Sequence, residues 1–337
     1  MSMKSSDEFR KQYMTQASPL TGLVLVIILL TPYLPGDLLL EADFLLANPF
    51  FRLIIQVAAL GLFLLYTQRS NRFYPVLSMI MVAWIAIELL TVMPVPFFRS
   101  KPDRSSYSQP IHALTYNIQG GRTDRLLEWI ESQKPDIVGL QEYYPFGDGP
   151  QLKVLEDRGY QTRCARLYRR PVSFLGLAVR GEIVHTDSFR LAVPGNDPRQ
   201  VLTADAVFNS DTLRIVVAHM EPPLKQSRFF GIFQRMRYRY LQSRELADSL
   251  NAWSDRRLLL LMDGNAAPRD RSLSPLQAAM NDTWMEAGSG WGGTWDSTLP
   301  VHRIDYILQR GFTAVLKAER HNIINSDHLA YMVALMP

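Results

Sequence analysis

Apolar positions are arranged along this chain in two regimes. From residue 12 to 98 they run almost unbroken. No charge occurs between Lys11 and Asp37 or between Arg52 and Arg69, and Glu88 is the lone charge between Arg72 and Arg99. After about residue 110 the apolar residues come in short stretches separated by polar, Gly and Pro positions. A bilayer core of about 30 Å takes about 20 mostly apolar residues per helix. The first regime therefore predicts three transmembrane helices, near 18–36, 50–67 and 75–96. Buried core helices of a soluble protein are the alternative, which requires three nearly charge-free helices in succession. A cleaved signal peptide fits less well, because two further spans follow the first.

The short loops predict an orientation. Lys4, Arg10 and Lys11 precede the first span, and Arg69 and Arg72 lie between the second and third, whereas Asp37, Glu41 and Asp43 occupy the first loop. The positive-inside rule then places the N-terminus in the cytoplasm and everything after about residue 100 on the periplasmic or extracellular side. Arg99, Lys101 and Arg104 pull the other way, although large domains translocate largely regardless of charge. Glu88 sits within the third span, where an ionised carboxylate costs several kcal/mol unless paired or hydrated. It is either a relay or substrate group, or a protonated or snorkelling side chain. The polar, Ser- and Pro-rich segment 99–110 reads as a linker, which divides the chain into an anchor (1–98) and a second domain (111–337).

In that second domain the pattern changes to alternating strands and helices. Strands are predicted at 111–118, 136–142, 174–184, 202–208, 212–220, 257–264, 303–309 and 328–336, with helices near 123–134 and 234–253. Strands outnumber helices, and polar residues recur where apolar strands stop. The expected fold class is α/β, with sheets inside and a site at the strand ends.

Composition sharpens the division. Residues 1–100 hold 7 Lys/Arg and 6 Asp/Glu, against 29 and 26 in the remainder. With 20% charged residues and long apolar runs, wholesale disorder is excluded. The single cysteine, Cys164, excludes an intramolecular disulfide and a cysteine zinc cage. A net charge of +4 over 337 residues decides nothing about nucleic-acid partners.

The strand ends carry Asn117 (TYNIQ), Glu142 (LQE), His219 (AHM), Asp263 and Asn265 (MDGN), Asp305 (RIDYI) and Asp327-His328 (SDH). Singly, each is an ordinary turn former or packing residue. As an ordered set they are what metal-assisted phosphoester hydrolysis requires. The oxygen-rich, cysteine-free donors favour Mg²⁺ or Mn²⁺ over zinc, with a carboxylate or imidazole to activate water.

The series TYNIQ, DIVGLQE, VVAHM, MDGNAAP, GTWDSTLPVHRIDYIL and SDHLAYMVAL resembles the endonuclease/exonuclease/phosphatase superfamily over residues 111–337. With the apolar N-terminal region, the chain is similar to a membrane-anchored bacterial type. The resemblance implies a four-layer α/β sandwich of two packed mixed β-sheets flanked by helices, and residence in the inner (plasma) membrane. It implies roles as well. Glu142 would be the principal metal ligand, Asn117 would help hold the metal or its waters, and Asp327 would lie near it. Asp263 would orient or deprotonate the attacking water, and Asn265 would contact the phosphate. His328 would face the scissile phosphate with Asp305 as its orienting carboxylate, and His219 would be the second active-site histidine. The usual Gly-Asp-Phe-Asn motif is here Met262-Asp263-Gly264-Asn265, and His219 has no evident carboxylate partner.

Substrate selection stays open at this level. The acid-free segment 225–244 interleaves Arg228 and Arg235 with aromatics, which suits a single-stranded nucleic acid track, an interfacial arm or a solvated helix with its aromatics in the core. Trp295, in a Gly- and Trp-rich loop, either lines the substrate cleft or packs in the core. Three functions follow: a phosphoesterase acting on a lipid headgroup or other phosphoester at the outer membrane face, an extracytoplasmic nuclease on DNA or RNA, or a silent binding module. The lipid bilayer is the expected partner, and nothing points to an obligate protein partner.

Overall fold

The structure, a computed structural model, describes residues 52–58, 60–61, 73–94, 109–119, 124–144, 152–168, 173–191, 198–208, 211–223, 231–323 and 326–337. Among the described residues, twelve strands form two six-stranded sheets. The first contains β1 (Ile111–Asn117), β2 (Ile137–Tyr143), β3 (Gln161–Tyr168), β4 (Ser173–Val179), β11 (Ala314–His321) and β12 (Ala330–Met336), in the order β11-β12-β1-β2-β4-β3. The second contains β5 (Glu182–Leu191), β6 (Arg199–Phe208), β7 (Asp211–His219), β8 (Arg257–Asp263), β9 (Asn281–Asp282) and β10 (Asp305–Arg310), in the order β5-β6-β7-β8-β10-β9.

Each sheet is built around one parallel pair, β1/β2 and β7/β8, with antiparallel strands on either side. These central strands are buried on both faces, which explains their continuous apolar runs. Strand β8 shows how the period of two divides the load. Leu259 and Leu261 point between the sheets, with Ile137, Leu177, Ile215 and Val333 in the same core. Leu258, Leu260 and Met262 point outward with Leu246 and Leu250 of the helix Gly231–Ala252. On the far side, Leu126 and Ile130 of the helix Asp124–Gln133 cover Leu114, Val138 and Leu140. Four layers result, helix-sheet-sheet-helix. Each such fully buried leucine or isoleucine contributes about 1.5–3 kcal/mol. At the sheet contact, a Cβ on Gly139 would lie 2.8 Å from Leu261 Cδ1 and 2.9 Å from its Cβ, so the close approach requires glycine there.

Two expectations change. The run 174–184 is not one strand. It breaks at Arg180-Gly181 into β4 and β5, which belong to different sheets. A Cβ on Gly181 would lie 2.5 Å from the Val207 carbonyl oxygen, so the crossing passes too close to β6 for a side chain. The expected span 18–36 and half of 50–67 lie outside the described residues, and the described part of the latter, 52–58 and 60–61, is helical. Where the third span is expected, the structure has the 18-residue helix Phe73–Leu90, which ends short of residue 96, ahead of Pro94. Eighteen residues rise about 27 Å, and among the described residues no helix is long and apolar enough to cross a membrane.

Candidate active site

The parallel pairs aim their C-terminal ends at one place. Asn117 closes β1, Glu142 lies at the end of β2, His219 closes β7 and Asp263 closes β8. The antiparallel partners start where those strands stop, so Asp305 opens β10 and His328 precedes β12. Register sets His219 and Asp305 directly opposite Asp263 on its two sides. Contact between the sheets completes the cluster, because Asn117 Nδ2 donates to Asp263 Oδ2 at 2.9 Å.

Local backbone re-aims two of these residues. Glu142 has φ +51° and sits where the β2–β4 register shifts. A bulge with a left-handed residue turns its side chain out of the pleat toward the cleft. Asn265 has φ +50°, and its backbone N–H donates to Asp263 Oδ1 at 2.9 Å. This tight turn is one that asparagine tolerates well. Gly264 stands where the related motif has an aromatic, and a Cβ there would lie 3.1 Å from the Tyr306 ring. Tyr306 fills that space from β10, its hydroxyl donating to Ala266 O at 2.7 Å.

Asp263 is the hub. Its Oδ2 lies 3.2 Å from His219 Nε2 and 3.9 Å from His328 Nε2, besides the Asn117 amide. Glu142 Oε1 lies 3.6 Å from His219 Nε2 and 3.4 Å from Asn117 Nδ2, at the more open edge of the cluster. His328 Nδ1 donates to Asp305 Oδ2 at 2.9 Å, and Asp305 is fully buried. Asn265 Nδ2 lies 3.0 Å from His219 Nε2. Trp295 Nε1 donates to Asp327 Oδ2 at 3.0 Å, and the backbone of Trp295 bridges that of His328.

Electrostatics separates these groups. Burial disfavours the ionised form of Asp263, but the imidazoles of His219 and His328 and the Asn117 amide outweigh it. They hold the carboxyl well below the usual carboxylate range. Burial likewise opposes a charge on His328, yet Asp305 against Nδ1, with Asp263 and Asp327 nearby, wins and pushes the ring up to about 10. Burial also pushes the Asp305 carboxyl up. The Asp305–His328 pair therefore holds one shared proton tightly through neutral pH.

Asp263, Asp305 and His328 each bring a ligand atom within 4.8 Å of the others, a grouping of metal-site dimensions. The proton between His328 and Asp305 would have to leave before both could bind a cation. Glu142, Asn117 and Asp327 offer the other oxygen donors. Asp327 Oδ1 is buried without a hydrogen-bond partner, an oxygen that a hard cation suits.

Asn117, Glu142, His219, Asp263, Asn265, Asp305 and His328 are thus drawn together, and Trp295 and Asp327 border them. Arg235 is engaged elsewhere, its Nη1 donating to Glu221 Oε1 at 2.7 Å, and Arg228 lies outside the described residues. Sequence reasoning misses Arg199 and Glu221, both buried behind His219. Glu221, two residues past His219 at the close of an apolar strand, is the signal that could have found them. It also misses Thr294, whose Oγ1 accepts from the Asp305 backbone N–H at 3.2 Å.

Comparison with solved structures supports the same fold. The human Nocturnin catalytic domain with bound sulfate anion aligns with a TM-score of 0.55 at 20% identity, covering 69% of this chain and 97% of that one. An endonuclease/exonuclease/phosphatase from Beutenbergia cavernae aligns at 0.57 and 18%, covering 68% and 72%. D. rerio TDP2 complexed with a single-strand DNA product aligns at 0.53 and 18%, covering 68% and 99%. No curated protein matches the chain significantly. A family profile, by contrast, matches residues 114–328. It spans every strand-end residue of the cluster, and the chain belongs to the endonuclease/exonuclease/phosphatase family, whose members hydrolyse phosphoester bonds.

Proposed function

We propose that the chain is a membrane-anchored, divalent-metal-dependent phosphoesterase that hydrolyses a phosphoester, with a lipid headgroup as substrate, at the outer face of the bacterial inner membrane. The observation that carries the chemistry is the convergence of Asn117, Glu142, His219, Asp263, Asn265 and the Asp305–His328 pair at one end of both sheets. Glu142 and Asp327, with Asn117, would hold Mg²⁺ or Mn²⁺, which when bound neutralises phosphate oxygens. Asp263, held ionised, orients the attacking water and takes its proton as the new O–P bond forms. His328, its Nδ1–H held by Asp305, gives the proton on its other nitrogen, Nε2, to the leaving oxygen as the old P–O bond breaks. The Asn265 amide binds a phosphate oxygen.

Anchoring rests on the charge-poor first 98 residues. It rests also on Val76, Met79, Ile80, Val82, Ile87 and Leu90 of the helix Phe73–Leu90, each more than half exposed. Such a face suits an apolar environment. Orientation follows from the loop cations. Confinement to the bilayer raises the effective concentration of a membrane substrate. A nuclease is the second reading, favoured by the likeness to the TDP2 fold seen with single-strand DNA product.

The full chain in detergent micelles is expected to hydrolyse an activated phosphodiester with Mg²⁺ or Mn²⁺, and to lose activity in EDTA or as His328→Ala. Undiminished turnover in EDTA would reject the metal-dependent reaction. Parallel incubation with plasmid, RNA and mixed phospholipid vesicles separates the substrates. Nicked plasmid beside intact vesicles would discard the lipid reading.

A further inference from the structure

His219 and His328 flank the same carboxylate, yet their outer ring nitrogens meet opposite partners. Nδ1 of His328 faces a carboxylate, whereas Nδ1 of His219 lies 3.3 Å from Nη1 of Arg199. A guanidinium has donors only. The contact is a hydrogen bond only if His219 presents a lone pair at Nδ1, which leaves the proton on Nε2.

The arginine cannot easily turn away. Its Nε and Nη2 both bind Glu221 Oε2, at 3.1 and 3.0 Å, so the third nitrogen is aimed at the imidazole. Arg199, Glu221 and His219 are all buried, each only 3–5% exposed. Glu221 is itself fixed from several sides. Arg235 Nη1 binds its other oxygen, its backbone N–H donates to Gln242 Oε1 at 3.0 Å, and its carbonyl accepts from Arg239 Nη1 at 3.2 Å.

A second donor competes for the ring at its opposite edge. The Asn265 amide nitrogen lies 3.0 Å from Nε2, and a neutral imidazole has one lone pair. Arg199 has no acceptor to offer and needs the ring's lone pair, whereas the Asn265 amide nitrogen already donates to Met220 O at 3.2 Å and does not. The conflict resolves with Nδ1 accepting from Arg199 and Nε2–H donating to Asp263 Oδ2, 3.2 Å away.

We infer that Arg199 is a positioning residue. Clamped by Glu221, it locks His219 in the Nε2–H tautomer and makes that histidine a fixed hydrogen-bond donor beside Asp263 rather than a base. The consequence for catalysis rests on the phosphoesterase reading above; the tautomer does not.

The test is long-range ¹H–¹⁵N spectroscopy on the full chain in detergent micelles, labelled at histidine and kept in EDTA, with His219→Gln assigning the resonance. The wild type is expected to show an unprotonated Nδ1. Arg199→Lys, which keeps a donor, should retain that tautomer, and Arg199→Met should shift His219 toward Nδ1–H. A protonated Nδ1 in the wild type overturns the inference, and this result needs no variant to fold. An unchanged tautomer in folded Arg199→Met overturns it too. On an activated phosphodiester, Arg199→Met should lose about 10–100-fold in kcat, the usual range for a supporting residue, with little change in KM. No wild-type turnover would count against the phosphoesterase reading while the spectra still decide the tautomer.

Discussion

Replacing Asp305 by Asn tests the electrostatics of the site directly. In the wild type the Asp305–His328 pair keeps its shared proton to about pH 10, whereas a histidine in the unfolded chain loses it near 6.5. The folded state therefore binds this proton more tightly. Its stabilisation is fully present below about pH 6.5 and is lost as pH rises through about 10. Between those limits the slope is about 1.4 kcal/mol per pH unit, so the wild type should lose roughly 3–4 kcal/mol of stability between about pH 6.5 and 9.5. Asp263 is ionised throughout that window and adds no slope. In Asp305→Asn the leading favourable partner is gone and burial of His328 is opposed only by Asp263 and Asp327, so most of this decline should disappear, leaving a protein less stable near pH 6.5 and flatter above it. Urea denaturation in EDTA at several pH values, followed by tryptophan fluorescence, measures both curves. Equal slopes for wild type and variant would refute the shared-proton account.

Three further outcomes follow from packing and support. Gly139→Ala should lower stability by about 1–3 kcal/mol, because the contact is with Leu261 Cβ as well as the movable Cδ1; an unchanged urea midpoint would contradict the sheet spacing. Gly264→Phe, which restores the aromatic of the related motif, should also cost roughly 1–3 kcal/mol, because the Tyr306 ring already occupies that space; wild-type stability would show that the two rings do not compete. Trp295→Phe removes the indole N–H from Asp327 and should weaken activation by Mg²⁺ about 10–100-fold with kcat at saturating metal largely kept; an unaltered metal titration would remove Asp327 from the metal's surroundings.

Much of the architecture is legible in the sequence. Strands β1, β2, β7, β8, β10 and β12 announce themselves because they are buried on both faces and must be apolar along their length. Their terminal polar residues stand out for the same reason. Strands β3 and β11 do not, since QTRCARLY and AVLKAERH lie at sheet edges, where polar side chains face water. The break within 174–184 is also hidden, because apolar pattern marks burial but not which sheet a strand joins.

The candidate residues, their order and the class of chemistry are carried by local pattern and family resemblance. What the residues do for one another is carried only in part. The resemblance pairs Asp305 with His328, as the structure does, but that Asp263 serves as hub and that Arg199 and Glu221 stand behind His219 depend on strand register and on two sheets ending at one place. These contacts join residues 20 to 146 positions apart. No short-range periodicity encodes such pairings, because they form only when burial of both sheet faces brings the strand ends together.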